Sequence, residues 1–271
     1  MNLFLLTRIS LFVRRFLRHI EALGLPIAMA NAFEDCNIRM VTLGETTGWN
    51  TPGKGVRFVG NHSSGFEQVP LMAILGGFKR SDLSVIAIPG IGGARTFELL
   101  DREHGSSYTL PVLLGLLAKD RKDIWNRFFL YRVLHFKSLL ARTELREENL
   151  RTLSTSARLL EQGYAIILFP PGRRDVDIRG PWQSGLGEVT NRLSETARTN
   201  VMIVPFLLES DYSKYKLAKA FLVRSLGRLP KQRTFTLRLG HQGSCLDLLG
   251  QESDPSAITE TVRMQYRESL F

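Results

Sequence analysis

The chain has 271 residues, 44% of them hydrophobic, which is enough to bury one sizeable core and does not require a second. Its 36 Lys and Arg outnumber its 26 Asp and Glu, and the net charge of +10 favours a polyanionic partner: nucleic acid, anionic lipid or a phosphorylated small molecule. The two cysteines, Cys36 and Cys245, lie far apart without Cys-x-x-Cys or Cys/His spacing, which argues against a disulfide scaffold and a structural zinc site. A reducing compartment fits this usage.

Residues 2 to 23 are predicted to form a basic amphipathic helix. At 100° per residue, apolar side chains project to one side and basic ones to the other, with Phe4 and Leu11 as exceptions. Such a helix can lie in the headgroup layer of an anionic membrane, where each Arg adds about 1 kcal/mol, or it can pack on the core as an ordinary helix. Arg8 interrupts the apolar run, so we expect neither a signal peptide nor a membrane-spanning helix there.

After a turn-rich stretch at 44–55, strand-like and helix-like segments alternate. The pattern predicts a strand at 56–60, a helix from 67 to 74, a strand at 83–89, helical structure at 109–140, a helix at 146–162, a strand at 164–169, a helix at 186–199 and a strand at 201–208. This alternation predicts an α/β fold with a mostly parallel central sheet flanked by helices. We expect two parts: an N-terminal amphipathic helical region at 1–45, associated with a membrane surface, and a larger domain at 46–271.

A basic segment follows the last predicted strand. From Asp211 to Arg238 the chain carries eight basic residues and one acidic residue, with apolar residues between them. Because basic residues throughout the chain alternate with Leu, Phe and Ile, and no nucleic-acid-binding module appears, we expect no nucleic-acid partner.

His62 and Glu67 are candidates for a general base and its orienting carboxylate. They are separated by four residues where the strand at 56–60 gives way to the next helix. The carboxylate can bind one ring nitrogen and leave the other free to deprotonate an attacking hydroxyl, so no covalent enzyme intermediate is needed. The alternative is an ordinary surface or core histidine.

Four short segments occur in order along the chain: NHSSGFE at 61–67, SLLAR at 138–142, FPPGRR at 169–174 and IVPF at 203–206. Together they resemble the conserved blocks of the glycerolipid acyltransferases, the family of bacterial 1-acylglycerol-3-phosphate acyltransferases. In that family His is followed after four residues by Asp, the second block ends in Arg, and the third reads F-P-E-G-T-R. The resemblance covers roughly residues 55 to 210, and we refer to these segments as the first to fourth blocks.

The resemblance implies an O-acyltransferase of phospholipid biosynthesis. It would move a fatty acyl group from acyl-CoA or acyl-carrier protein to the hydroxyl of a lysophospholipid, most simply 1-acylglycerol-3-phosphate, without a metal or bound cofactor. His62 is then the catalytic base, Glu67 its orienter, and 46–271 the acyltransferase domain of a peripheral or monotopic protein on the cytoplasmic side of an anionic membrane. The substrate-binding residues are then Arg142, Gly172, Arg173 and Arg174, of which the arginines contact phosphate and Gly172 offers an N–H to the oxyanion.

Three positions depart from the family pattern. Glu67 replaces Asp, which keeps the carboxylate with one more methylene, whereas Pro171 replaces the acid of the third block and Arg173 its Thr. The loop thereby gains two adjacent bases, and Pro171 has no backbone N–H to offer. These changes leave two alternatives open: a different lipid acceptor, amine-headed or a glycolipid, and a non-catalytic lipid-binding homologue.

Overall fold

The fold is given by a computed structural model that describes residues 3–51, 53–61, 68–78, 83–87, 107–111, 142–170, 180–182, 184–209 and 214–271. Its helices there are α1 (Leu3–Leu23), α2 (Leu25–Asp35), α3 (Gln68–Gly77), α4 (Arg142–Glu161), α5 (Gly185–Asn191), α6 (Glu195–Asn200), α7 (Lys214–Ser225), α8 (Cys245–Leu249) and α9 (Pro255–Leu270). The strands are β1 (Ile38–Leu43), β2 (Val56–Gly60), β3 (Leu83–Ala87), β4 (Ser107–Pro111), β5 (Ala165–Leu168), β6 (Met202–Glu209), β7 (Arg233–Leu239) and β8 (Gly243–Ser244).

The strands form one central sheet in the order β1-β7-β6-β2-β5-β3-β4, with β8 paired to β6. Strand β2 pairs in parallel with both β5 and β6, and β3 pairs in parallel with β4 and β5. Strand β7 is antiparallel to β6 and parallel to β1, so β1 and β7 run opposite to the central strands. The prediction of an α/β fold with a mostly parallel sheet flanked by helices is confirmed.

Helices cover both faces of the sheet, and alternate residues of β2 enter two different apolar clusters. Val56 and Phe58 pack with buried residues of α1, α2, α3 and α7, whereas Val59 packs with residues of α4, α5, α6 and α9. A strand buried on both faces has a nearly continuous apolar sequence, as Ala165–Leu168 also shows. The core is therefore two apolar layers, one on each side of the sheet.

Most predicted elements within the described residues are confirmed, with shifted ends, and two predictions are wrong. Residues 109 to 111 are not helical, because Ser107–Pro111 forms β4 and pairs in parallel with β3; the rest of 109–140 lies outside the described residues. The helix expected at 186–199 is two helices, α5 and α6. The break occurs because Ser194 takes an extended conformation and caps α6, its hydroxyl accepting from the Ala197 N–H at 3.3 Å.

The predicted N-terminal helix is present as α1, and its side chains are described from Leu11 onward, except for Val13 and Leu17. Phe12 and Phe16 pack against the core and Ile20 is buried. This half of α1 therefore packs on the protein itself, while its amphipathic membrane role stays a prediction. The boundary at residue 45 also stays a prediction; strand β1, which precedes it, joins the same sheet as β2.

None of the helices in the described ranges is both long enough and apolar enough to cross a membrane.

Helix α3 is buried almost all round and packs closely on α2. A Cβ atom at Gly76 would lie 1.9 Å from the carbonyl oxygen of Pro26, at the start of α2. Because this neighbour is backbone, no side-chain rotation can relieve the overlap. Glycine at 76 is therefore what lets the two helices approach.

We expect Gly76→Ala to lower the free energy of unfolding by about 2 kcal/mol or more, because the helices must separate to admit the methyl group. Gly77→Ala is the matched control, since a Cβ there meets nothing within 4 Å. Urea denaturation of both variants measures the difference. Equal stability of the two variants would contradict this account of the helix contact.

Candidate active site

The first and third blocks follow neighbouring parallel strands. Val56 is in register with Ala165, and Val59 with Leu168, so β2 and β5 run side by side and end at the same edge of the sheet. The described chain leaves this edge at Asn61 and at Pro170, next to the undescribed segments 62–67 and 171–179. Ligands of open α/β sheets commonly bind outside this carboxyl edge.

Asn61, directly before the predicted base, is held by the neighbouring strand. Its side-chain amide donates to the carbonyl oxygen of Leu208 at 3.2 Å, and its Oδ1 accepts from the Leu208 N–H at 2.9 Å. The side chain thus imitates a backbone peptide and extends the pairing of β2 with β6 past Gly60. Asn61 is 7% exposed, so these bonds are shielded from water. Asn61 is therefore tied to β6 at the point where β2 ends.

The fourth block lies on the other side of β2, in β6. A Cβ at Gly60 would lie 2.5 Å from the carbonyl oxygen of Phe206, so only glycine permits this approach of the two strands. The Phe206 ring meets the Phe169 ring edge-on, with centroids 6.3 Å apart. Residues of the third and fourth blocks therefore share one apolar floor, against which Gly60 lies directly before the first block.

Two further helices adjoin the blocks in sequence. Helix α3 starts at Gln68, directly after residue 67, and α4 starts at Arg142 and leads through a turn into β5. At 20 residues, α4 is about 30 Å long, more than twice the length of β5. The side chain of Arg142 is outside the described part.

Arg57, the second residue of β2, is a buried charge that the sequence interpretation missed. Its side chain is 1% exposed, and its Nη1 donates to the carbonyl oxygen of Leu186 at 3.0 Å and to the hydroxyl of Thr190 at 2.6 Å. That hydroxyl donates in turn to the Leu186 carbonyl at 3.0 Å. Arg57 thereby ties the strand that leads into the first block to α5, the first helix described after the third.

Burying the guanidinium of Arg57 between β2 and α5 disfavours folding. Within the described ranges no carboxylate pairs with Arg57, and its Nε and Nη2 are buried without a hydrogen-bond partner. Burial lowers the pKa of the guanidinium, while the nearby Cys245 raises it in part. Unpaired buried donors on a cation oppose folding. The arrangement fixes geometry at the expense of stability.

Most of the predicted site residues lie in segments that the structure does not describe. His62, Glu67, Gly172, Arg173 and Arg174 lie outside the described residues, so their roles stay predictions. Arg142 is described in its backbone alone, as the first residue of α4. The described residues contain no group of three or more His, Cys, Asp or Glu side chains arranged to hold a metal ion.

Asn61 and Arg57 could have been suspected from the sequence. Asn61 opens the first block, where an amide beside a strand end can pair with backbone. Arg57 stands inside an apolar strand, where a charge is unusual and calls for a buried partner. Neither signal shows which partner is used, because Leu208 and Leu186 are more than 100 residues away in sequence.

No family model matches this sequence, and no curated protein matches it either. Among solved structures, the chain is similar to the crystal structure of the 1-acyl-sn-glycerophosphate (LPA) acyltransferase PlsC from Thermotoga maritima. The sequences are 18% identical, the match covers 93% of this chain and 78% of that one, and the TM-score is 0.38.

We expect Asn61→Ala to lower the free energy of unfolding by about 1–3 kcal/mol, because the Leu208 N–H and C=O lose their side-chain partners in a buried place. Asn191→Ala is the control, since that side chain bonds to Ser253 and Arg198 at an exposed position. Chemical denaturation compares the two variants. A loss at Asn61 no larger than at Asn191 would show that the side-chain pairing with β6 is unimportant.

Proposed function

We propose that the protein transfers a fatty acyl group from a thioester to the hydroxyl of a lipid acceptor, most simply 1-acylglycerol-3-phosphate. The donor is acyl-CoA or acyl-carrier protein. One observation carries the proposal: strands β2 and β5, which lead into Asn61 and Phe169, are paired and parallel. More than 100 residues separate these two strand ends in sequence. The first and third of the blocks that resemble the acyltransferase motifs therefore follow strands that end at a common edge, where α/β enzymes bind their substrates.

Chain connectivity limits how far the predicted residues can lie from these anchored ends. Consecutive Cα atoms are about 3.8 Å apart, so His62 begins within that distance of Asn61, and Pro171 within that distance of Pro170. Asn61 is itself held to β6 by two hydrogen bonds. This supports a common site for a base from the first block and a phosphate-binding loop from the third.

In the proposed reaction the acceptor hydroxyl attacks the thioester carbonyl carbon. His62 takes the hydroxyl proton as the new C–O bond forms, and Glu67 stabilises the resulting imidazolium. The oxyanion of the tetrahedral intermediate accepts an N–H from Gly172. Collapse of the intermediate breaks the C–S bond, and the departing thiolate takes the proton back from His62. The proton and the acyl group are both accounted for without a covalent enzyme intermediate.

Arg142, Arg173 and Arg174 bind the acceptor phosphate in this proposal. Guanidinium groups suit this task because they form paired, charge-assisted hydrogen bonds with phosphate oxygens. The change of the third block to FPPGRR favours a second candidate, in which the same chemistry acylates an amine-headed lipid or a glycolipid. The loop then binds a different headgroup, while the base and the donor are unchanged.

We expect His62→Ala to reduce acyl transfer at least about 100-fold, the usual loss when a general base is removed. Purified protein is incubated with acyl-CoA and 1-acylglycerol-3-phosphate, and the product is identified by mass spectrometry. His241→Ala is the control, since His241 is an exposed histidine in the link between β7 and β8.

Circular dichroism of both His variants confirms that they are folded. Full transfer by folded His62→Ala would eliminate the proposed mechanism. Tight lipid binding by the wild type, with no transfer from any thioester, would instead identify a non-catalytic lipid-binding protein.

Arg173→Ala should raise the KM of the phosphate-bearing acceptor more than it lowers kcat, because a phosphate contact is made alike in the ground and transition states. The exposed Arg158→Ala, in α4, is the control. Steady-state kinetics with a panel of lysolipids measures both constants. An unchanged KM for 1-acylglycerol-3-phosphate, with transfer to an amine-headed or glycolipid acceptor, would favour the second candidate.

A further inference from the structure

Arg57 occupies a place in the sheet where an apolar side chain is expected. Its neighbours in register are Ile166 on β5 and Ile203 on β6. Both isoleucines belong to the buried apolar cluster that joins the sheet to α4, α5, α6 and α9. A methionine or leucine would fill the same position without burying a charge, so the presence of an arginine here calls for a reason other than packing.

The partners of Arg57 do not need it to satisfy their hydrogen bonds. The Thr190 hydroxyl donates to the Leu186 carbonyl at 3.0 Å, and this bond does not involve the guanidinium. Removing Arg57 would also remove its Nε and Nη2, which have no partner among the side chains that the structure describes. Replacement of buried charged groups by apolar ones of similar volume is often neutral or stabilising. Folding stability therefore does not explain the arginine.

Helix α5 is held on its other side by α9. A Cβ at Gly187 would lie 2.0 Å from the carbonyl oxygen of Pro255, and the Gly187 N–H donates to the Thr259 hydroxyl at 3.1 Å. These contacts place α5 relative to α9. Apolar contacts between α5 and the sheet are not directional, whereas the two bonds from Arg57 Nη1 specify where α5 lies along β2.

The bonds of Arg57 bear on the segment that contains the third block. Residues 170–184 connect β5 to α5, and β5 is itself paired in parallel with β2. Near the end of this segment, the Trp182 ring meets the Tyr266 ring of α9 edge-on, with centroids 5.4 Å apart. Strand pairing therefore fastens the start of the segment to β2, and Arg57 fastens the helix at its end to the same strand.

We infer that Arg57 is a positioning residue for acyl transfer, which holds α5, and with it the end of the third-block segment, against the strand that leads into the first block. The inference rests on the proposed function, in which a base from the first block and a phosphate-binding loop from the third act on one acceptor. Arg57 touches no substrate in this account. Relative placement matters because a displacement of about 1 Å can lower a rate about 100-fold.

The first test is Arg57→Met, which keeps an unbranched side chain of similar volume and removes the bonds to α5. With acyl-CoA and 1-acylglycerol-3-phosphate, kcat should fall at least about tenfold while the KM of the acceptor changes less than about threefold. The urea midpoint should equal or exceed that of the wild type. A midpoint well below the wild type would assign Arg57 to the stability of the fold and overturn the inference.

Thr190→Val breaks the same contact from the other side and has the opposite effect on stability. It removes an acceptor from a buried cation, so the urea midpoint should fall. The kcat should also fall, at least about threefold. In the double variant, kcat should be no lower than in Arg57→Met alone, because both substitutions remove one shared contact. Losses that multiply in the double variant would contradict the inference.

Val201→Ala is the matched control for stability. Val201 is buried in the same apolar cluster, but it precedes β6 at the amino end of the sheet, away from α5 and the two blocks. Its substitution leaves a cavity and should lower the urea midpoint while the folded protein keeps its kcat. Wild-type kcat in Arg57→Met, or an equal loss of kcat in Val201→Ala, would overturn the positioning role.

Hydrogen exchange followed by mass spectrometry measures the hold on α5 without any acyl transfer. In Arg57→Met, amides of α5 should exchange at least about threefold faster than in the wild type, while those of the last turns of α9 stay unchanged. A wild type that transfers from no thioester would refute the proposed function, and the exchange of α5 would still show whether Arg57 holds that helix. An active wild type with unchanged α5 exchange in Arg57→Met would refute the positioning role alone.

Discussion

The arrangement of this protein depends on strand β2, which is paired on both edges and buried on both faces. Its two neighbours, β5 and β6, come from parts of the chain more than 100 residues away. Because all three run in the same direction, the segments that follow them leave the sheet together. Everything proposed about the function relies on that shared edge.

The junction between β2 and β6 is unusually close and unusually well defined. Gly60 leaves no space for a side chain against Phe206, and Asn61 continues the backbone pairing through its amide. Two side-chain hydrogen bonds and a close backbone contact reduce the conformational freedom of the chain at this strand end. Rigidity at this point is what a precisely positioned base requires.

Arg57, unlike Asn61, positions its strand at a cost in folding stability. A guanidinium in the interior of a sheet, with two donors unpaired, weakens the folded state, yet its bonds to Leu186 and Thr190 join the strand of the first block to α5. Burial of the apolar clusters on both sides of the sheet opposes that cost.

Local patterns in the sequence determined the class of the fold, most of its central strands and the order of the four blocks. Strand periodicity and turn residues at 56–61 and 164–170 are short-range signals, and they were sufficient to put both blocks at strand ends. The helix predicted at 109–111 was wrong because these residues pair with β3 as a strand. The break at 192–194 was missed because Ser194 is extended and caps a second helix.

Tertiary structure alone decided which strands became neighbours, which partners Asn61 and Arg57 found, and which side of α1 faced inward. The helical projection of α1 separated apolar from basic residues, but it could not tell a lipid layer from a protein core as the place where Phe12 and Phe16 are buried. Burial removes apolar surface from water in either case, so the driving force is the same. Only the packing of α7 and α2 against α1 distinguishes them in the described half of that helix.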